Sequence, residues 1–166
     1  IDISINDELR ENLDLLITRP FREALIGGQL NLKSALLLCN WNQTDRSGLI
    51  DLFTSFPFTK SQQLNLIEML EELIFRDKQS LRSIFADLKL ALLHRENKPQ
   101  KSIIDRVHAA RFPAYTASKA AFDKRIRQLK LPPHMQLTHF PFFEKRKLEL
   151  KIEIESIDQL EDLSLF

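Results

Sequence analysis

Lys147-Leu148-Glu149-Leu150-Lys151-Ile152-Glu153-Ile154-Glu155 decides the fold class. Apolar and charged residues alternate without a break, so an extended chain would carry four aliphatics on one face and the charges on the other. It is the clearest strand in the sequence. Residues 136–140 are the expected antiparallel partner, joined to it through residues 142–146. Ser156 and Gln159 form a capping box for a terminal helix bearing Ile157, Leu160 and Leu163. Two strands alone are marginal in water, so the helices on either side are expected to cover the face of Leu148, Leu150, Ile152 and Ile154. Those four residues are also the expected dimerisation surface, reached through an edge that pairs with a second copy. Packing against the flanking helices is the plainer alternative.

Upstream the period changes to 3.6. Thr59 and Gln62 make a T-x-x-Q capping box, and Leu66, Ile67, Leu70, Leu73 and Ile74 follow at helical spacing. Asn6 starts an earlier helix, with Asp7 and Glu8 in its first turn and Leu9, Leu13, Leu16 and Ile17 on its apolar face. Pro20 opens a short helix that stops at Gly27-Gly28. Asn31 caps the next, with Leu32, Ala35, Leu36 and Cys39. Thr44 is expected to cap another, burying Ile50 and Phe53, and Ser80 one that runs to about residue 95. Glu96-Asn97-Lys98-Pro99-Gln100 breaks the chain. A helix over 101–111 ends at Phe112-Pro113, and Thr116 starts one that ends before Pro132-Pro133.

The expected fold is therefore α+β and mostly α. A helix-turn-helix-like multi-helical unit over 1–97 is followed by a small α-β-β-α unit with a two-stranded antiparallel sheet over 98–166. The chain starts at Ile1 where a complete protein has Met, which reads as a segment of something longer. Cys39 stands alone in an apolar run, so it reads as a buried small residue and fits a reducing, cytoplasmic compartment. No apolar run approaches a membrane span.

Charge is spread unevenly. The chain has 24 Lys+Arg and 23 Asp+Glu. The stretch 98–130 holds Lys98, Lys101, Arg106, Arg111, Lys119, Lys124, Arg125, Arg127 and Lys130 against Asp105 and Asp123, so 9 − 2 = +7, leaving 15 − 21 = −6 elsewhere. Such a segment suits an anionic partner, DNA above all, through phosphate contacts. Lys124, Arg127 and Lys130 share one helix face opposite Phe122, Ile126 and Leu129. The alternative is an ordinary solvated face paired with acidic residues such as Glu68, Glu71 or Asp87. Phe140, Phe142 and Phe143 beside His139 read either as a base-stacking platform or as packing behind the sheet.

Enzymatic signatures are missing from the sequence. His94, His108, His134 and His139 include no i, i+3 or i+4 pair, which argues against a metal site. Glu68, Glu71 and Glu72 read as a wet helix face. There is no phosphate-binding glycine loop and no nucleophile elbow. The chain reads as a non-enzyme without cofactor.

Two stretches carry a family resemblance. In Pro20-Phe21-Arg22-Glu23-Ala24-Leu25-Ile26-Gly27-Gly28-Gln29-Leu30-Asn31-Leu32-Lys33-Ser34-Ala35-Leu36-Leu37-Leu38, a proline opens one helix, a glycine-plus-leucine turn closes it, and a capped helix with an alanine follows. The second comprises Pro99-Gln100-Lys101, Phe112-Pro113, Ala120, Phe122, Leu131-Pro132-Pro133 and Pro141-Phe142-Phe143-Glu144. Together they resemble the ParB-like partitioning family, in the region downstream of its N-terminal domain. Lys33, Ser34 and Leu36 stand where that family often has Gly-His before the alanine and arginine after it. The family's arginine-rich nucleotide motif does not occur in these residues. The resemblance implies a bacterial, DNA-binding and oligomerising fragment of a chromosome or plasmid partitioning or regulatory protein. A protein-interaction or dimerisation module that never touches nucleic acid is the competing expectation.

Overall fold

The computed structural model describes residues 7–140 and 147–154. The chain divides into two units, the first ending at Arg111 and the second beginning at Phe112.

Every regular element described in the first unit is a helix. It contains α1 (Asp7–Leu16), α2 (Arg19–Ile26), α3 (Leu32–Cys39), α4 (Gln43–Ser55), α5 (Lys60–Asp77), α6 (Leu81–Asp87), a 3-10 helix (Leu90–Arg95) and α7 (Pro99–Arg111). Local chemistry sets most boundaries. Pro20 sits in the first turn of α2, where a missing N–H costs nothing. Gly28 follows with φ of 73°, a left-handed conformation open to glycine, and the Leu30 amide donates back to the Ala24 carbonyl at 3.0 Å. At α5 the box is reciprocal: the Gln62 amide donates to Thr59 Oγ1 at 3.3 Å, and the Thr59 amide donates to Gln62 Oε1 at 2.9 Å.

α5 is the centre of this unit, packing on α3, α6 and α7. Leu66, Ile67, Leu70 and Leu73 are buried at the spacing the sequence predicts, together with Met69. Phe53, Phe56 and Phe58 pack around them edge to face, with Phe58 5.6 Å from Phe53 and 6.5 Å from Phe56 between centroids. Full burial of such a side chain stabilises by roughly 1.5–3 kcal/mol.

Polar groups taken inside are matched. Gln63 is 2% exposed. Its amide donates to the Gln29 carbonyl at 2.8 Å and to that of Phe58 at 3.3 Å, while Oε1 accepts from the Asn31 amide at 3.1 Å and from Asn31 Nδ2 at 2.6 Å. One side chain thus ties the α2–α3 turn to α5. Asp45 is also buried, accepting from the Leu81 amide at 3.2 Å and from Asn42 Nδ2 at 2.7 Å. It fastens the start of α6 to α4.

Several boundaries and faces depart from the sequence expectation. Asn42, not Thr44, caps α4, because its Oδ1 accepts the Asp45 amide while its Nδ2 grips the Asp45 carboxylate. Among the described side chains of α1, Leu15 and Leu16 face inward. Leu13 and Ile17 are exposed, since the helix stops at Leu16 and turns toward Pro20. The helix capped by Ser80 ends at Asp87. Lys89 then adopts a left-handed φ of 52°, and the chain tightens into the 3-10 helix. Three residues per turn stack Leu90 over Leu93, both buried, and leave Leu92 outside. The break at 96–100 is a turn within the first unit rather than its end. α7 buries Ile103 and Val107 against α5, so the unit continues to Arg111 instead of stopping at residue 97.

The second unit has α8 (Pro113–Leu129), β1 (Met135–His139) and β2 (Leu148–Ile152). Pro113, not Thr116, opens α8, with Phe112 outside as its cap residue. Lys130 closes the helix at φ of 47°. β1 and β2 pair antiparallel, with Met135 opposite Ile152, Leu137 opposite Leu150 and His139 opposite Leu148. The fold is thus α+β and mostly α, with its two-stranded sheet after Pro133. The expected helix from Ser156 and the connection at 142–146 lie outside the described residues. Covering of the apolar sheet face is partial: Leu148 and Leu150 are each 51% exposed.

Candidate nucleic-acid interface

The basic segment is distributed over both units. Lys98, Lys101, Arg106 and Arg111 belong to the first. Arg106 donates to the Leu88 carbonyl at 2.8 Å and meets Glu96 at 3.6 Å, fastening α7 to the turn after α6. Arg111 is 18% exposed at its side chain and pairs with Glu68 and Glu72 on α5. Both arginines are therefore engaged in packing helices together, a role their sequence positions do not reveal. Lys101 stands 3.9 Å from Asp105 one turn on, and Lys98 is exposed.

Lys119, Lys124, Arg125, Arg127 and Lys130 belong to α8 and its cap. All five are exposed, against Asp123 alone on the same helix. Helical geometry explains the grouping. Positions 124, 127 and 130 fall on neighbouring rows of one surface, while Tyr115, Phe122 and Ile126 occupy the other. The inward side is held at His139 of β1, whose ring lies edge to face with Phe122 at 5.0 Å and Tyr115 at 6.5 Å. This anchor fixes which surface of α8 faces outward. Lys119 reaches the Asp123 carboxylate at 3.4 Å, and Arg127 Nε donates to the Asp123 carbonyl at 3.2 Å. No ion pair is made by Lys124, Arg125 or Lys130 among the described residues. Cations in the last turn also suit the negative end of the helix dipole.

Of the aromatic platform, Phe140 is half-buried, and Phe142 and Phe143 lie outside the described residues. His139 is part of the packing between α8 and the sheet. The α2–turn–α3 pair has a helix-turn-helix connection, yet α3 buries Ser34, Ala35, Leu38 and Cys39 and turns Leu32, Lys33 and Leu37 outward. That outer surface has one cation and no amide for reading base edges.

Among the described residues, no group of three or more His, Cys, Asp or Glu side chains is gathered as metal ligands would be. Burial pushes the Cys39 thiol up, and nearby Arg46 partly opposes this. A cavity of about 370 Å³ opens between α4 and α6, lined mainly by Leu52, Phe56, Phe85 and Leu90 with Gly48 and Asp51. Neither it nor the Gln63 network was anticipated, although Gln63 lies one turn before Leu66 and Ile67 on the same apolar stripe. Among the described residues no helix is long and apolar enough to cross a membrane.

Comparison with protein-family models, with curated proteins and with solved structures finds no match for this chain.

Proposed function

We propose that this chain binds DNA through the outer face of α8, as part of a ParB-like, DNA-associated protein. The supporting observation is the shared exposed surface of Lys124, Arg127 and Lys130, with Arg125 and Lys119 flanking the apolar side. A lysine or arginine row on a rigid helix neutralises phosphates and releases condensed counterions, giving affinity with little sequence preference. Arg106 and Arg111 have carboxylate and carbonyl partners inside the first unit, so the proposed contact set is centred on α8. A protein-interaction module is the second reading. The half-exposed Leu148 and Leu150 favour it.

The test is fluorescence anisotropy with duplex DNA over a series of salt concentrations. For three phosphate contacts the slope of log affinity against log salt is about −2.7. The triple variant Lys124→Glu, Arg127→Glu, Lys130→Glu should bind far more weakly with a flatter slope. The charge-matched variant Lys33→Glu, Lys60→Glu, Arg82→Glu, on exposed sites of the first unit, should bind nearly as the parent does. Equal losses in both variants, or no binding at low salt, would remove α8 as the interface.

A further inference from the structure

We infer that a cavity of the first unit, lined by Arg46, is a binding site for a small organic acid, a single carboxylate carried on a short apolar body. The inference is independent of DNA binding by α8.

Three observations carry it. The first is the cavity and the order of its lining. It has a volume of about 350 Å³ and lies between the end of α1, the start of α2 and the first half of α4, all within the first unit. That is the small end of the range for ligand pockets, roughly 300–1,000 Å³, so the body it takes is one ring or a short chain. Phe21 and Ile50 are 1% and 4% exposed, and Leu15 is half-buried. Arg46 is half-buried too, while Gln43 and Ser47 are exposed. Helical spacing puts 43, 46, 47 and 50 on one face of α4. Apolar surface therefore lies deepest, a guanidinium stands beside it, and an amide and a hydroxyl stand at the mouth.

The second is the unmatched charge. Among the described residues no carboxylate forms an ion pair with Arg46. The acids that could have done so are committed elsewhere. Asp45, next in sequence, accepts from Asn42 Nδ2 at 2.7 Å and from the Leu81 amide at 3.2 Å. Glu23 of α2 meets Arg19 at 2.8 Å. Asp51 lines the cavity between α4 and α6 instead. A cation half out of water and without a counter-ion attracts an anion more strongly than one on an open surface.

The third is how the guanidinium is held. Arg46 Nη1 donates to the Cys39 carbonyl at 3.5 Å, and Cζ stands 5.8 Å from the centre of the Phe21 ring. These contacts set the group over the apolar floor and spend one of its N–H groups. The planar fork matches a carboxylate through two parallel bonds. One cation lines the cavity, which suits one negative charge; a phosphate monoester carries nearly two. The carboxylate then sits at Arg46 with Gln43 and Ser47 within the same lining, and the apolar body leaves water against Phe21, Ile50 and Leu15.

The experiment is a titration of the full chain with benzoate and with hexanoate, followed by amide chemical shifts and by calorimetry. Both should bind saturably, at about 1 mM or tighter, with the shifts centred on Phe21, Gln43, Arg46, Ser47 and Ile50. Benzamide keeps the ring without the charge, and acetate keeps the charge without the body; each should bind at least about tenfold more weakly. Arg46→Gln should weaken benzoate by about tenfold or more and leave benzamide unchanged. Ser47→Phe, on an exposed helix position, leaves Arg46 in place, closes the mouth and should abolish benzoate binding. Circular dichroism checks that each variant is folded. Benzamide binding as tightly as benzoate overturns the proposal, as does benzoate binding unaltered in either folded variant. Shifts confined to the cations of α8 overturn it as well. Phenyl phosphate binding more tightly than benzoate would replace the carboxylate with a phosphate and overturn the assignment of the ligand.

Discussion

α5 and α8 are nearly equal in length, 18 and 17 residues, and each has a polar face and an apolar stripe. Their fates differ. α5 buries Gln63, Leu66, Ile67, Met69, Leu70 and Leu73 completely, whereas α8 buries no residue to that degree. The cause is the surroundings. α5 has α3, α6 and α7 packed around it, while α8 meets a two-stranded sheet at His139. An amphipathic pattern states which side faces inward, and the number of neighbouring elements sets how deep that side goes. The first unit can therefore be read as a stable scaffold. Among the described residues, the second has exposed cations on α8 and half-exposed leucines on β2.

The contrast is easiest to break by truncation. Leu70→Ala should destabilise the chain by about 2–5 kcal/mol, because the cavity lies among fixed helices. Ile126→Ala, on a half-exposed site of α8, should cost less than about 1 kcal/mol. Urea unfolding of both variants measures the difference. Equal losses would mean that the second unit holds a core as rigid as the first.

A polar substitution sharpens the same comparison. Gln63→Leu leaves the Asn31 amide and the Gln29 carbonyl without their partner inside the first unit, at a cost of about 1–3 kcal/mol. Gln136→Leu on the sheet's open face should change stability by less than about 0.5 kcal/mol. A similar response at both sites would show that Gln63 is reached by water.

Two glycines of the first unit should respond in opposite directions. Gly28→Ala puts a side chain on a backbone with φ of 73°, where nothing crowds the added carbon, so the cost is conformational and about 1–2 kcal/mol. Gly48→Ala lies inside α4 with Leu81 Cδ2 at 3.4 Å, an ordinary contact. It should stabilise by roughly 0.5–1 kcal/mol. Thermal melts of the pair give the signs.

The smallest effect is electrostatic. The Arg76 guanidinium bonded to Asp77 holds that carboxyl below its usual range. A folded-state value lowered in this way adds stability at neutral pH, and that stability is lost as the pH falls through the carboxylate's titration. Arg76 also donates to the carbonyls of Ala110 and Arg111, joining the ends of α5 and α7. Asp77→Asn should leave acid stability unchanged and slightly lower stability at neutral pH. Because the pair is exposed, the difference is small. Denaturation across that pH range detects it.

Much of the fold was legible in the sequence because the deciding interactions are local. The capping boxes span three residues, a helix stripe needs one or two turns, and the alternation at 147–155 is complete within nine positions. Residues 59–62 accordingly start α5, Asn31 and Ser80 cap their helices, and β2 lies within the alternating stretch. The local reading went astray where two local signals compete. Asn42 prevails over Thr44 because its side chain satisfies both the amide and the carboxylate of Asp45, whose other oxygen holds Leu81 from far along the chain.

For the candidate site, sequence alone determined that cations concentrate between residues 98 and 130, and that Lys124, Arg127 and Lys130 share a helix face. Tertiary structure decided which of those cations are engaged in packing. Arg111 meets Glu68 and Glu72 across some forty positions of sequence, and Arg106 closes on a carbonyl eighteen residues away. It also decided that α7 completes the first unit and that Gln63 is a tie between elements rather than a surface amide. A charge or an amide has the same composition wherever it stands. Its role follows from the partners and the burial that folding brings to it, and those come from residues distant in the chain.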